Sequence, residues 1–212
     1  MTLVLTTQFQ TPFLQDQWNH YLSQMPPFIK EEILRYRRWQ DRHSVLLGKL
    51  LLREALKYYG WEPDSLFQLR KNEYGRPSIP GFHDFSISHS TNHILCAFQP
   101  HGRIGADIEH IRPIDFNHFQ NYMTQDEWQD IYRAEAPEKV FFRYWAMKES
   151  IIKADGRGLS APWPVVDRER SIAFLQKDKW HVKAIDLFAD MASCLACRQP
   201  LEKVKRLSLA FD

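Results

Sequence analysis

The longest helical signal in the chain is the run Asp41 to Tyr59, where Val45, Leu46, Leu50, Leu52, Leu56 and Tyr59 recur at helical spacing before Gly60. Glycine past the last periodic position is a common helix terminator. A shorter helix carrying basic residues is expected from Ile29 to Trp39. The pattern then changes period. Phe85 to His89 alternates apolar and polar residues, Ile94 to Phe98 is continuously apolar, and Arg103 to Glu109 alternates again. Short polar turns at residues 90–92 and 100–102 join the three, which predicts an antiparallel meander. Helical spacing returns from Phe141 to Ala154, followed by Gly156 and Gly158, and strands are expected at 171–175, 180–185, 193–197 and 204–209. Helices then strands, followed by helix then strands, is an α+β order repeated once. We divide the chain into an N-terminal α+β lobe, 1–103, and a C-terminal α+β lobe, 104–212.

Composition narrows the class. Of 212 residues, 44% are hydrophobic and 25% charged, an ordinary globular balance. A net charge of +2 does not announce a nucleic-acid binder. The arginines are clustered locally instead, at Arg35, Arg37, Arg38 and Arg42. No stretch approaches the ~18 apolar residues that span a membrane, and the first residues lack a basic, then apolar, leader. The expected compartment is cytoplasmic, with no membrane partner. Three cysteines make no disulfide framework. Cys194 and Cys197 sit in a strand-like run, where positions three apart face opposite sides, so a structural role is expected.

The chemistry-bearing residues fall in four places. In Ile104-Gly105-Ala106-Asp107-Ile108-Glu109, strand alternation puts Asp107 and Glu109 on one face and Ala106 and Ile108 on the other. Paired carboxylates suit a hard cation such as Mg²⁺, or form a solvated strand face. On the helix from Phe141, Glu149 and Lys153 lie i,i+4 among aromatics, either as a helix-stabilising pair or as a third carboxylate with a phosphate-facing lysine. Gly75-Arg76-Pro77 fixes a turn and presents a cation. Ser88-His89-Ser90 closes a strand with phosphate-binding groups, and no Gly-x-Ser-x-Gly elbow makes it a hydrolase fragment.

Taken in order, Gly75-Arg76-Pro77, Phe85-Ser86-Ile87-Ser88-His89-Ser90, Gly105-Ala106-Asp107-Ile108-Glu109 and Trp145-Ala146-Met147-Lys148-Glu149-Ser150-Ile151-Ile152-Lys153 resemble the motifs of the larger 4′-phosphopantetheinyl transferases. These enzymes activate peptide, polyketide and fatty-acid synthases. The resemblance covers roughly residues 28–165. It implies a monomer of two similar α+β lobes about a pseudo-two-fold axis, with mostly antiparallel sheets packed by helices and coenzyme A between them. It further implies that Asp107, Glu109 and Glu149 hold Mg²⁺, that Ser88 and His89 contact the cofactor's phosphates, and that Lys153 touches the pyrophosphate and aids proton transfer. Arg76 stands where lysine is more usual and keeps its charge as an implied contact of the cofactor, and Glu149, or water held by the metal, is the implied base for the carrier serine. Glu127 matches a position sometimes assigned to the reaction. Ser44 occupies the place of an expected phosphate-binding arginine, so Arg42 is the expected substitute. The implied partner is an acyl or peptidyl carrier protein, met by Ile114, Phe116, Phe119, Tyr122 and Met123 or by core packing of the same residues, with Arg112 and Arg143 as steering charges. Two other readings compete: a nucleic-acid module built on Arg35 to Trp39, and a Mg²⁺-dependent phosphohydrolase using the same carboxylates.

Overall fold

The computed structural model describes residues 1–211, the side chain of Leu159 excepted; residue 212, the last of the expected second lobe, lies outside the described residues. The first half runs β1 (Thr2–Gln8), α1 (Gln15–Ser23), α2 (Pro27–Arg35), α3 (Trp39–Tyr58), a two-residue pair β2 (Arg70–Lys71) and β3 (Pro77–Ser78), β4 (Asp84–Ser90) and β5 (His93–Gln99). The second half runs β6 (Ile104–His110), α4 (Gln125–Arg133), α5 (Pro137–Asp155), β7 (Val165–Asp167), β8 (Ile172–Leu175), β9 (Asp178–Ala184), β10 (Met191–Cys197) and β11 (Val204–Ser208). The expected α+β class holds. One sheet has the order β11-β1-β5-β4 and the other β6-β10-β9-β8-β7, and within both every pairing is antiparallel except β1 with β11.

Period-two alternation sorts the core into layers. Ile94, Cys96 and Phe98 of β5 face the cluster built on α3, whereas Leu95 and Ala97 face a cluster shared with β6 and β10. In β6, Ile104, Ala106 and Ile108 point into that shared cluster, leaving Asp107 and Glu109 for the side that α5 covers. Cys194 and Cys197 fall in different clusters, as strand spacing requires, and all three cysteines are buried thiols. Each sheet is thus covered by one long helix, α3 or α5, and the two sheets share apolar side chains between them. Among the described residues no helix is long and apolar enough to cross a membrane.

Three expectations are corrected. The meander stops at β5: β6 pairs with β10 and heads the second sheet, after a turn at Gly102 whose φ of +80° suits glycine. The last strand does not stay with the second half, because β11 runs parallel beside β1 with Thr2 opposite Val204. Residues 103/104 thus fall between β5 and β6, with β11 alone crossing back to the first sheet. The helix expected from Ile29 to Trp39 ends at Arg35, and Tyr36 is extended at φ −69°, ψ 137° before α3 begins. Strand β1 and helices α1 and α4 carried no expectation.

The N-terminal segment is tied to α3 through His43, which is buried within rings of Phe9, Phe13, Trp18 and Trp39. The Phe13 amide donates to His43 Nε2 at 3.0 Å, so Nδ1 carries the hydrogen and donates to the Trp39 carbonyl at 2.8 Å. Both nitrogens are satisfied only in the neutral ring. Burial lowers the His43 pKa from its ordinary 6.5, opposed by the Trp39 carbonyl. Below pH 6.5 the unfolded chain takes up a proton that folded His43 refuses, so this contribution to stability is present above 6.5 and declines on acidification. The urea midpoint of the wild type should therefore exceed that of His43→Gln by a constant amount above ~pH 7, and by less as pH falls through ~6. A difference that grows on acidification would contradict the neutral-ring account.

Candidate active site

The site begins with a polar row on β4. Asp84, Ser86, Ser88 and Ser90 alternate along the strand and share one face. Asp84 Oδ2 accepts from the Ile104 amide at 2.7 Å, Ser86 Oγ from the Ala106 amide at 3.0 Å, and Ser90 Oγ from the His110 amide at 3.1 Å. These pairs keep a constant offset along the chain, so β4 and β6 run side by side in the same direction. No backbone ladder joins them among the described residues. Side chains of one strand serve the amides of the other, which satisfies polar groups that would otherwise be buried without partners.

Helix α5 lies directly on the Gly105 and Asp107 face of β6. A Cβ on Gly105 would stand 1.8 Å from the Ser150 carbonyl oxygen and 2.6 Å from the Ala154 nitrogen, so only glycine permits this approach. It brings Lys153 over Asp107. Lys153 Nζ donates to Asp107 Oδ1 at 2.6 Å and to Ser88 Oγ at 2.8 Å, while Ser88 Oγ donates to the same carboxylate oxygen at 2.8 Å. Asp107 is 2% exposed, and its second oxygen, Oδ2, is buried with no hydrogen-bond partner among the described residues.

Negative charge accumulates around this triangle. Burial, then the Asp107 charge, pushes Glu109 up to about 7, with Lys153 and Arg112 opposing and Glu149 adding. Burial and Asp107 also raise Glu149, against Lys153. His89, near the end of β4 and on the face opposite the row, is lowered by burial and by Lys153, with Asp41 and Asp107 opposing. A cavity of about 310 Å³ opens beside these groups, lined among others by Tyr74, Arg76, Phe85, Ile87, Glu149 and Lys153.

Among the described residues no three His, Cys, Asp or Glu side chains stand close enough together to hold a metal as they are. The chemistry of the set nonetheless fits a hard cation. All the donors are oxygens, one carboxylate oxygen is buried without a partner among the described residues, and burial with the Asp107 charge pushes two neighbouring carboxyls toward the neutral form.

Several expected site residues are engaged in other contacts. Arg42 turns its Nε to the Tyr36 carbonyl at 2.7 Å, across the break between α2 and α3. Arg76 lines the cavity, but its guanidinium is engaged with Asp84 and two backbone carbonyls. Glu127 lies away from the cavity and is 2% exposed. It closes the capping box of α4 with Thr124, accepts from the Val166 amide at 3.0 Å and pairs with Lys148 Nζ at 2.8 Å. Lys148, 1% exposed, also donates to the Pro164 carbonyl. Ile114, Phe116 and Phe119 pack against the core beneath α5, and Met123 is buried in it. Tyr122 sits between Trp145 and Trp163. Met123 apart, the stripe is partly exposed, and Arg112 is exposed with its guanidinium 5.2 Å from the Phe142 ring centroid.

Sequence reasoning passed over Asp84, Ser86, Gly105 and Lys148. The first two were legible as a period-two polar row, and Lys148 as a charge on an apolar helix next to a Thr-x-x-Glu box.

Comparison with known proteins follows the same lines. Residues 103–209 match the family model of the 4′-phosphopantetheinyl transferase superfamily, and residues 11–101 match that of the 4′-phosphopantetheinyl transferase N-terminal domain. The 4′-phosphopantetheinyl transferase Sfp of Bacillus subtilis strain 168 is 34% identical over 157 residues, 71% of this chain and 69% of that protein. The 4′-phosphopantetheinyl transferase gsp of Aneurinibacillus migulanus is 32% identical over 76% of this chain and 70% of its own length. The mouse L-aminoadipate-semialdehyde dehydrogenase-phosphopantetheinyl transferase is 28% identical over 68% of this chain and 52% of its own.

Removing one member of the buried Lys148–Glu127 pair leaves an uncompensated charge. Glu127→Ala should lower unfolding stability by about 3–5 kcal/mol, and the double replacement Glu127→Leu with Lys148→Met should recover most of it. Urea denaturation measures both. Turnover per folded molecule should stay near wild type in the double variant, and its collapse would return Glu127 to the reaction.

Proposed function

We propose that this chain, which belongs to the 4′-phosphopantetheinyl transferase superfamily, transfers the 4′-phosphopantetheine group of coenzyme A to a serine of an apo acyl or peptidyl carrier protein and releases adenosine 3′,5′-bisphosphate. The observation that carries the reading is the set of carboxylates Asp107, Glu109 and Glu149 coupled to Lys153, of which Glu149 and Lys153 line the cavity between β4 and α5. Family membership supports the enzyme class. The donor, the product, the metal and the residue roles are our reading of the site. The reading also has the chain act as a cytoplasmic monomer, without nucleic acid or membrane, and keeps lobes 1–103 and 104–212 with β11 returning to the first sheet.

The carrier serine oxygen forms a bond to the β-phosphorus of coenzyme A while the bond from that phosphorus to the bridging oxygen breaks. The electron pair leaves on adenosine 3′,5′-bisphosphate. Asp107, Glu109 and Glu149 would hold Mg²⁺, which when bound neutralises the pyrophosphate and stabilises the departing charge. Lys153, fixed by Ser88 and Asp107, presents its ammonium to the pyrophosphate. Ser88 and His89 contribute a hydroxyl and an imidazole to phosphate binding at the end of β4. The serine proton passes to Glu149, which lines the cavity, and a base so placed contributes ~10²–10⁴-fold. Carrier proteins are acidic, and exposed Arg112 stands at the Glu109 end of β6 to steer them.

Intact mass of an apo carrier protein after incubation with the chain, coenzyme A and Mg²⁺ tests the reading. A gain equal to the phosphopantetheine arm is expected, abolished by EDTA and by Asp107→Ala. Release of the bisphosphate from coenzyme A with no carrier present would instead favour a phosphohydrolase. Near-normal turnover by Glu149→Gln would remove both roles given to that residue.

A further inference from the structure

Arg76 was expected to offer its charge to a phosphate, and its surroundings argue otherwise. The turn that carries it is closed by Asn72, whose Oδ1 accepts from the Tyr74 amide at 3.0 Å and the Arg76 amide at 2.8 Å. From there the guanidinium makes a two-pronged pair with Asp84, NH1 to Oδ1 at 2.8 Å and NH2 to Oδ2 at 2.7 Å. NH2 also donates to the Ile104 carbonyl at 2.9 Å, and Nε to the Lys153 carbonyl at 2.8 Å. One side chain thereby links β4, the first residue of β6 and the last turn of α5. Its side chain is 11% exposed.

The same last turn receives further donors. Arg103 NH1 donates to the Asp155 carbonyl at 2.7 Å, and Asn72 Nδ2 to the Gly156 carbonyl at 3.1 Å. Positive groups at a helix C-terminus satisfy free carbonyls and complement the helix dipole. Gly156, at φ +89°, admits the approach, since a Cβ there would stand 2.6 Å from Arg76 Cδ.

A guanidinium that turned toward a phosphate would leave the Asp84 carboxylate without its charged partner and two carbonyls without donors, each a destabilising loss. Lysine, with a compact ammonium, cannot reproduce the planar fork on Asp84 together with the two carbonyl contacts. From this geometry we infer that Arg76 is a positioning residue that clasps the two halves through Asp84, Ile104 and Lys153, setting the place of Lys153 over Asp107, and is not a ligand of the cofactor's phosphates. The inference rests on the transferase reading of the cavity.

Arg76→Lys, Arg76→Gln, Asp84→Asn and the double variant Arg76→Gln/Asp84→Asn test it, with adenosine 3′,5′-bisphosphate as the calorimetric probe and kcat and KM measured per folded molecule. We expect Arg76→Lys to fail to rescue, with kcat down at least ~10-fold because Lys153 is misplaced. Bisphosphate affinity should change by less than ~3-fold, Asp84→Asn should reproduce the kcat loss, and the double variant should be no worse than the worse single one. The inference is overturned if Arg76→Gln weakens bisphosphate binding ~10-fold or more while Arg76→Lys retains it and Asp84→Asn is normal. Should the variants not fold, a crystal structure of the wild type with the bisphosphate decides: the guanidinium stays on Asp84, or it has moved to a phosphate. Failure of the transferase reading would show separately, as a wild type that binds the bisphosphate and modifies no carrier.

Discussion

The arrangement depends on how two sheets meet without pairing. Strand β6 gives its backbone edge to β10, yet lies against β4, whose own backbone already pairs with β5. The amides of β6 that face β4 cannot reach water, and buried amides need partners. Asp84, Ser86 and Ser90 supply them from side chains. Because those donors and acceptors repeat every second residue, they also fix the register. A slip of one position would turn the row away and leave the β6 amides unmet. The register determines which β6 residues stand opposite Ser88, and so fixes Asp107 within reach of Lys153.

That placement sets up an electrostatic imbalance. Asp107 satisfies one oxygen with Ser88 and Lys153 and leaves the other without a partner among the described residues, while burial and its charge raise Glu109 and Glu149. Such a group is poor at holding the fold together and well suited to receive a cation. The Lys148–Glu127 pair on the same helix is the contrast. There every carboxylate oxygen and the ammonium have partners, and the pair ties α4 and the start of β7 to α5. Two lysines five positions apart on one helix have different functions because one is sealed and the other borders a cavity.

Much of this was written in the chain. Alternation from Ile104 to Glu109 put Asp107 and Glu109 on one face, and the structure keeps them there. Helical spacing in α3 and α5 and the glycines that end them were legible, since backbone preference and burial are local there. Four ordered motifs pointed to the enzyme class that comparison supports. Misreadings came where partners were remote in sequence. Short connections suggested that β6 would continue the meander, but β10, some ninety residues later, took its edge. Arg76 read as a free cation because nothing in the local pattern pairs it with Asp84, Ile104 or the Lys153 carbonyl.

The sequence by itself therefore determined periodicity, and with it which residues share a face, where helices stop and which carboxylates can act together. Tertiary structure alone decided which strand edge meets which, whether a charge is neutralised, and where a lysine ends. Faces are set by the geometry of one segment, whereas partners are chosen by the competition of all segments for the same buried donors and acceptors.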